Sequence, residues 1–249
     1  MVNISLCGAN GKMGRTIYNC IQNRKDCVVV SGIDMNTEKY ADFSIFKNPF
    51  DLPEVPDVII DYSHPSSLDN LIEYSKAKNV PVVLATTGYS KEEVEKIKNA
   101  SKETPLFFSW NMSLGINLLV QLSKKAASIL GNQFDIEIVE KHHNQKIDAP
   151  SGTALMIANG INEVFDNEKE YIYERQSKRE KREQKEIGIH AVRGGTIVGV
   201  HEVIFAGNDE VITLSHSATS KTVFAEGSIN AAVFIKGKEA GLYDMSNLI

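Results

Sequence analysis

Short apolar runs alternate with amphipathic stretches over the first hundred residues. Residues 2–7 are β-rich, residues 12–21 read as a helix, and Cys27-Val28-Val29-Val30-Ser31-Gly32-Ile33 is β-rich again and ends at Asp34. That is one βαβ unit. Further buried strands are predicted at 57–61, 80–85 and 106–108, with helices over 66–78 and 90–101 between them. Strands alternating with helices imply a mostly parallel sheet, and ligands of such sheets bind beyond the carboxyl ends of the strands.

The pattern changes after Asn111. Apolar positions Leu114, Leu118, Leu119, Leu122, Ala126 and Ile129 predict a helix over 113–130, followed by an alternating strand through Phe134, Ile136, Ile138 and Glu140. A helix is predicted over 151–165. Residues 168–186 are dense in both signs of charge and are expected to be a solvated helix or mobile loop. Strands are predicted at 196–206 and 211–216 on either side of the turn Gly207-Asn208-Asp209, and a last helix over 222–235. Gly194-Gly195 marks a flexible turn. The expected fold is α/β: a parallel-sheet domain plus an α+β mixed-sheet domain.

A chain of 249 residues can bury one large core or two smaller ones, and two fit this pattern better. No apolar run approaches the roughly 20 residues that span a bilayer, so no membrane helix is expected. The N-terminus lacks a basic segment ahead of an apolar one and reads as a first strand, so a cytoplasmic compartment is expected. Cys7, Cys20 and Cys27 lack paired metal-ligand spacing and are expected to be reduced, structural thiols. A net charge of −5 argues against a general nucleic-acid binder, yet an anionic small substrate is compatible with locally concentrated positive charge.

Two segments concentrate chemistry. In Gly8-Ala9-Asn10-Gly11-Lys12-Met13-Gly14, the glycines sit where a strand turns into a helix, so exposed amides and aligned peptide dipoles favour a pyrophosphate. Asp34 lies about 20 residues after the last glycine, as a ribose contact requires. A tight turn alone would also use three glycines, but the strand, the helix and the acid together favour a dinucleotide. Asp34 suits a free ribose hydroxyl while Lys12 suits a 2′-phosphate, so NADH and NADPH both stay open. Ala85-Thr86-Thr87-Gly88 and Ser109-Trp110-Asn111-Met112 fall just beyond two predicted strands, where a nicotinamide would sit.

The second segment, from Glu140 to Ala154, holds His142, His143, Lys146, Asp148 and the helix start Pro150-Ser151-Gly152-Thr153. Adjacent residues of a strand point to opposite faces, so His142 and His143 cannot easily chelate one metal, and none is expected. The sharper reading gives one imidazole to proton transfer and the other to a substrate anion. Lys146 adds a compact cation for a carboxylate or a proton, and the amides of Gly152 and Thr153 can hold a carboxylate. An ordinary capped helix braced by Asp148 would leave both imidazoles and Lys146 unexplained.

These residues resemble the 4-hydroxy-tetrahydrodipicolinate reductase (dihydrodipicolinate reductase) family of the diaminopimelate route to lysine. The likeness spans essentially the whole chain: the glycine turn, the Thr-Thr-Gly turn, the run from Asn111 to Asn117 and above all Glu140 to Ala154. It implies a Rossmann-like parallel-sheet cofactor domain of residues 1–112 and 223–249 and an α+β mixed-sheet domain of residues 113–222 for substrate and homotetramer contacts. It also implies NADH- or NADPH-dependent reduction of 4-hydroxy-tetrahydrodipicolinate, a small dicarboxylate, to tetrahydrodipicolinate with loss of water. By that resemblance His142 is the proton donor or acceptor, Lys146 a second proton donor, and His143, Gly152 and Thr153 bind substrate. Gly8, Ala9, Asn10, Gly11, Lys12, Met13, Asp34, Ala85, Thr86, Thr87, Ser109, Trp110, Asn111 and Met112 would contact the cofactor. The chain departs from the usual pattern at Ala85, at Ser109-Trp110 and at Lys221. Another amino-acid or keto-acid dehydrogenase and a non-catalytic nicotinamide sensor are the competing readings, and substrate-dependent oxidation of the cofactor separates the sensor from an enzyme.

Overall fold

The computed structural model describes residues 1–249. In chain order its elements begin β1 (Val2–Cys7), α1 (Lys12–Ile21), β2 (Cys27–Ile33), β3 (Ser44–Phe46), β4 (Val58–Asp61), α2 (Leu68–Lys78), β5 (Val82–Leu84), α3 (Lys91–Ala100) and β6 (Pro105–Phe108). They continue with α4 (Leu114–Leu130), β7 (Asp135–His142), α5 (Gly152–Glu163), β8 (Glu170–Ile172), β9 (Glu186–Arg193), β10 (Gly199–Ala206), β11 (Val211–Ala218), α6 (Thr222–Ile235) and β12 (Gly241–Tyr243). Contacts divide the chain into two units, Met1–Leu114 with Thr222–Ile249, and Gly115–Lys221.

In the first unit seven parallel strands run in the order β12-β6-β5-β4-β1-β2-β3. The order reverses between β1 and β4, which opens a crevice beyond their carboxyl ends. Both faces of the sheet are covered, which explains why its strands read as continuous apolar runs. Ile4, Leu6, Ile60 and Phe107 pack towards α1 and α6, while Ile59, Val82, Leu84 and Leu106 pack towards α2 and α3. Each such burial is worth about 1.5–3 kcal/mol. Helix α6 lies close against the chain after β6: a Cβ on Gly227 would stand 1.6 Å from the Met112 carbonyl oxygen.

The second unit is a five-stranded mixed sheet, β11-β10-β7-β9-β8, in which β7, β9 and β8 are parallel and β10 is antiparallel to β7 and β11. Its inner face buries Ile136, Ile138, Ile187, Ile189, Val203 and Phe205 with residues of α4 and α5. Helix α4 turns a different face inward than its leucines suggest. Ile116, Leu119, Ser123 and Ala127 are buried, whereas Leu118, Leu122 and Ile129 are exposed. Close approach explains the choice, since a Cβ on Gly160 of α5 would lie 2.9 Å from Val120 Cγ1 of α4.

The charged segment 168–186 is the expected solvated loop only in its middle, where 173–185 is largely exposed and in neither helix nor strand, while its ends are built into the sheet. It contains the strand β8, leads into β9, which the sequence pattern does not predict, and buries Lys169 and Glu186. Arg182 organises it, donating to Glu137 Oε1 at 2.9 Å, Asp135 Oδ1 at 2.7 Å and the carbonyl oxygens of Ile136 and Glu186. The segment is dense in charge because it is an ion-paired flank of the sheet. No helix of the chain is long and apolar enough to cross a membrane.

Candidate active site

The glycine turn of the first unit is shaped by contact. Gly8 adopts φ +78°, and a Cβ there would stand 2.6 Å from the Tyr62 carbonyl oxygen beyond β4. A Cβ on Gly14 would stand 2.4 Å from the Gly8 carbonyl oxygen, so helix and turn can meet only without side chains. Gly11 caps α1 without a side-chain hydrogen bond, and no acidic residue lies in the first turn. Beside this turn a cavity of about 500 Å³ is lined by Gly8, Gly11, Asp34, Lys47, Tyr62 and His64, among others. Amide-lined, close to backbone and at the switch point of the sheet, it fits the pyrophosphate and ribose of a dinucleotide.

Asp34 accepts from the amide of Asn10 at 2.9 Å and from that of Asn36 at 3.0 Å. It therefore braces the glycine turn and keeps only part of its acceptor capacity for a ribose. Asn10 donates through its side chain to the carbonyl oxygens of Asn36 and Glu38, Ala9 is fully buried, Met13 is half-buried, and Lys12 is exposed.

Asp61, at the end of β4, is fully buried and was not among the expected site residues. It accepts from Ser63 Oγ, Thr86 Oγ1 and Tyr89 OH at 2.5, 2.7 and 3.2 Å. Burial pushes its carboxyl pKa up against these bonds. Thr86 is thereby pinned beneath its turn next to buried Ala85, while Thr87 is exposed. After β6, Ser109 Oγ donates to the Asn111 carbonyl oxygen at 2.9 Å and Asn111 Oδ1 accepts from the Ser113 amide at 2.8 Å. Trp110 stays half exposed, edge-on to Phe108 at 5.0 Å between centroids, and Met112 is buried.

In the second unit the inner face of the sheet is apolar until β7 nears its end, where Glu140 and His142 follow Ile136 and Ile138 at period two. Glu140 is fully buried. It accepts from the Ser151 amide at 3.0 Å and from both terminal nitrogens of Arg193 at 2.7 and 2.8 Å, and it lies 2.6 Å from His142 Nδ1. Burial opposes its charge, but Arg193 and then His142 outweigh that and hold its pKa below the usual carboxylate value. The strand stops at His142, so His143 lies beyond it on the loop. The Gly194 amide donates to the His142 carbonyl oxygen and the Asn144 amide to that of Gly195, so the glycine turn after β9 clasps the loop.

Lys146 closes a tight turn, its amide donating to the His143 carbonyl oxygen at 3.1 Å, and its Nζ lies 2.8 Å from Asp148 Oδ1. That pairing holds the Asp148 carboxyl below its ordinary value. Ser151 caps α5, accepting at Oγ from the Ala154 amide at 3.1 Å, and that oxygen lies 3.2 Å from His201 Nε2. Half-buried Thr153 follows Gly152, where a Cβ would meet nothing within 4 Å, so open space lies before the helix start. His142, His143, Lys146, Gly152 and Thr153 thus share one loop and one helix terminus. Glu140 stood in the sequence motif without a role. Arg193, remote in sequence, is absent from the sequence reading, and only the period-two spacing of Glu140 and His142 signals that these two pair.

The comparisons agree with this architecture. The sequence patterns of the dihydrodipicolinate reductase N-terminus and C-terminus match residues 2–112 and 115–249. A 4-hydroxy-tetrahydrodipicolinate reductase of Caldanaerobacter subterraneus subsp. tengcongensis is 51% identical over all of this chain and 98% of its own length. Another, from Clostridium tetani, is 49% identical over all of this chain and 97% of its own. The structure of dipicolinate-bound dihydrodipicolinate reductase from Paenisporosarcina sp. TG-14 superposes with a TM-score of 0.82 at 26% identity, covering all of both chains.

Proposed function

The chain belongs to the 4-hydroxy-tetrahydrodipicolinate reductase family, nicotinamide-dependent oxidoreductases of diaminopimelate and lysine biosynthesis, and from that premise we propose how its residues divide the reaction. The observation that carries the proposal is the loop of the second unit. There a carboxylate-anchored imidazole, a lysine and an open helix start stand within twelve residues, from His142 to Thr153.

His143 and the amides of Gly152 and Thr153 bind the two carboxylates of the substrate, with the dipole of α5 behind the amides. The dipicolinate held by the Paenisporosarcina relative supports a planar dicarboxylate as the ligand class. When bound, the reduced nicotinamide supplies the hydride that adds to C4 of the unsaturated imine left once the hydroxylated ring has lost water. His142 donates a proton to the resulting electron-rich product, with Lys146 as a second donor and a counter-charge to the dianion.

In the first unit, Gly8 through Met13 take the pyrophosphate and Asp34 the ribose. Ala85, Thr86, Thr87 and Ser109 through Met112 take the nicotinamide. Lys12 in the turn and Lys47 on the wall of the cavity offer positive charge for a 2′-phosphate, so NADH and NADPH both serve. Residues 1–112 and 223–249 form the cofactor domain, and residues 113–222 form the substrate domain of a cytoplasmic homotetramer.

The test supplies freshly generated substrate with NADH or NADPH and follows the loss of nicotinamide absorbance. Lys146→Ala is expected to keep its fold and cofactor affinity while turnover falls about 10²–10³-fold. Near-normal turnover would remove Lys146 from the chemistry.

A further inference from the structure

Glu140 carries more polar contacts than a capping or bracing residue needs. An isolated carboxylate in this fully buried position would be costly, yet Arg193 through a two-pronged fork and the Ser151 amide, which can only donate, meet both its oxygens beside His142 Nδ1. An ionised carboxylate can only accept, so the hydrogen in the 2.6 Å contact sits on Nδ1 of His142. The exchangeable site of the ring is then Nε2. Space beside that nitrogen is kept by Gly199 of β10, where a Cβ would stand 3.2 Å from it.

The same carboxylate reaches two further parts of the loop. Its Oε1 fixes the Ser151 amide and with it the start of α5. Arg193, held against it, donates to the Asp148 carbonyl oxygen at 2.6 Å, midway along the loop. One buried group therefore sets the imidazole, the loop and the helix start relative to one another.

We propose that Glu140, held by Arg193, is a positioning residue for the reaction: it keeps His142 hydrogen-bonded through Nδ1 with Nε2 presented for proton transfer, and fixes the start of α5 relative to that nitrogen. The inference rests on the reading of His142 as proton donor. Orienting carboxylates of this kind have a known scale: removing a group that orients a metal-bound histidine costs about 10–100-fold in activity or affinity, and catalytic imidazoles depend on theirs at least as strongly.

The experiment uses the full-length protein, Glu140→Gln and Arg193→Lys. The amide of the first offers a single acceptor oxygen and a donor that opposes Arg193, and the second keeps charge but loses the fork. The ring nitrogens of His142, assigned by their loss in His142→Gln, are followed by ¹⁵N NMR at a pH where the ring is neutral, beside kcat, KM and cofactor Kd. The parent should show the Nδ1–H tautomer and Glu140→Gln a shift towards Nε2–H. The same variant should lose about 100-fold in kcat while its cofactor Kd stays within twofold. If Glu140→Gln does not fold, Arg193→Lys carries the comparison, with a loss of about tenfold in kcat. Normal turnover of His142→Gln would overturn the donor reading and this inference with it. Full dependence on His142 combined with an Nε2–H tautomer in the parent, or with kcat of the folded variant within threefold of the parent, would overturn the inference alone.

Discussion

His201 makes the stability of the second unit depend on pH in a calculable way. It lies on β10 opposite Glu140 of β7, is 4% exposed, and stands edge-on to the His142 ring at 5.1 Å between centroids. Burial first, and the neighbouring His142 second, push its pKa down from 6.5 to about 4. The unfolded chain therefore takes up this proton near pH 6.5 and the folded chain only near pH 4. Stability is full above the unfolded value and is lost as the pH falls between the two. The displacement corresponds to roughly 3 kcal/mol when fully developed, of which about 2 kcal/mol falls between pH 7 and pH 4.5. His201→Gln keeps an amide near Ser151 Oγ but cannot ionise. Urea unfolding of both proteins, at one protein concentration and at the two pH values, isolates the term because every other group titrates in both. The parent should lose about 2 kcal/mol more than the variant over this interval. Parallel losses would show that the folded protein protonates His201 as readily as the unfolded chain, and the buried-imidazole argument would fail.

Two further substitutions test the packing arguments. Gly8→Ala forces a side chain into φ +78° and to 2.6 Å from the Tyr62 carbonyl oxygen, so it should cost at least about 2 kcal/mol and weaken nicotinamide binding tenfold or more by fluorescence titration; an affinity within twofold of the parent would disprove the close approach. Arg182→Ala removes donors from Asp135, Glu137 and three carbonyl oxygens and should lower stability by roughly 2–4 kcal/mol in denaturant titration, whereas a loss below about 0.5 kcal/mol would return the segment 168–186 to a solvated surface.

The first unit is legible in the sequence because parallel strands covered on both faces must be largely apolar, and 27–33, 57–61, 80–85 and 106–108 are. What escaped follows from short length or mixed pattern. Strands β3 and β12 have three residues each and, unlike β5, stand in no longer apolar run that would register. Strand β9, Glu-Ile-Gly-Ile-His-Ala-Val-Arg, follows a charged run and has a glycine and a histidine on the face opposite its buried isoleucines. Its glycine is required: a Cβ on Gly188 would lie 1.7 Å from Glu137 Oε2 of β7, and His190 Nε2 binds that same oxygen at 2.8 Å. These residues look like interruptions because they answer to neighbours about fifty positions away, which no local pattern contains.

The same distance limits what the chemical loop can disclose. His142, His143 and Lys146 declare themselves by density, but whether Glu140 beside them is charged is decided by Arg193, 53 residues further on. The register of β9 on β7 pairs Ala191 with Glu140 and Arg193 with His142, placing the guanidinium on the same inner face as the carboxylate. A slip of one residue would carry Arg193 to the other face and leave Glu140 buried without its fork. Burial would then favour a protonated carboxyl, which can donate to the imidazole and so permits the opposite tautomer. Sheet register and site polarity are thus one property: Ile187 and Ile189, buried against Ile136 and Ile138, fix the register that keeps the carboxylate charged and the imidazole turned.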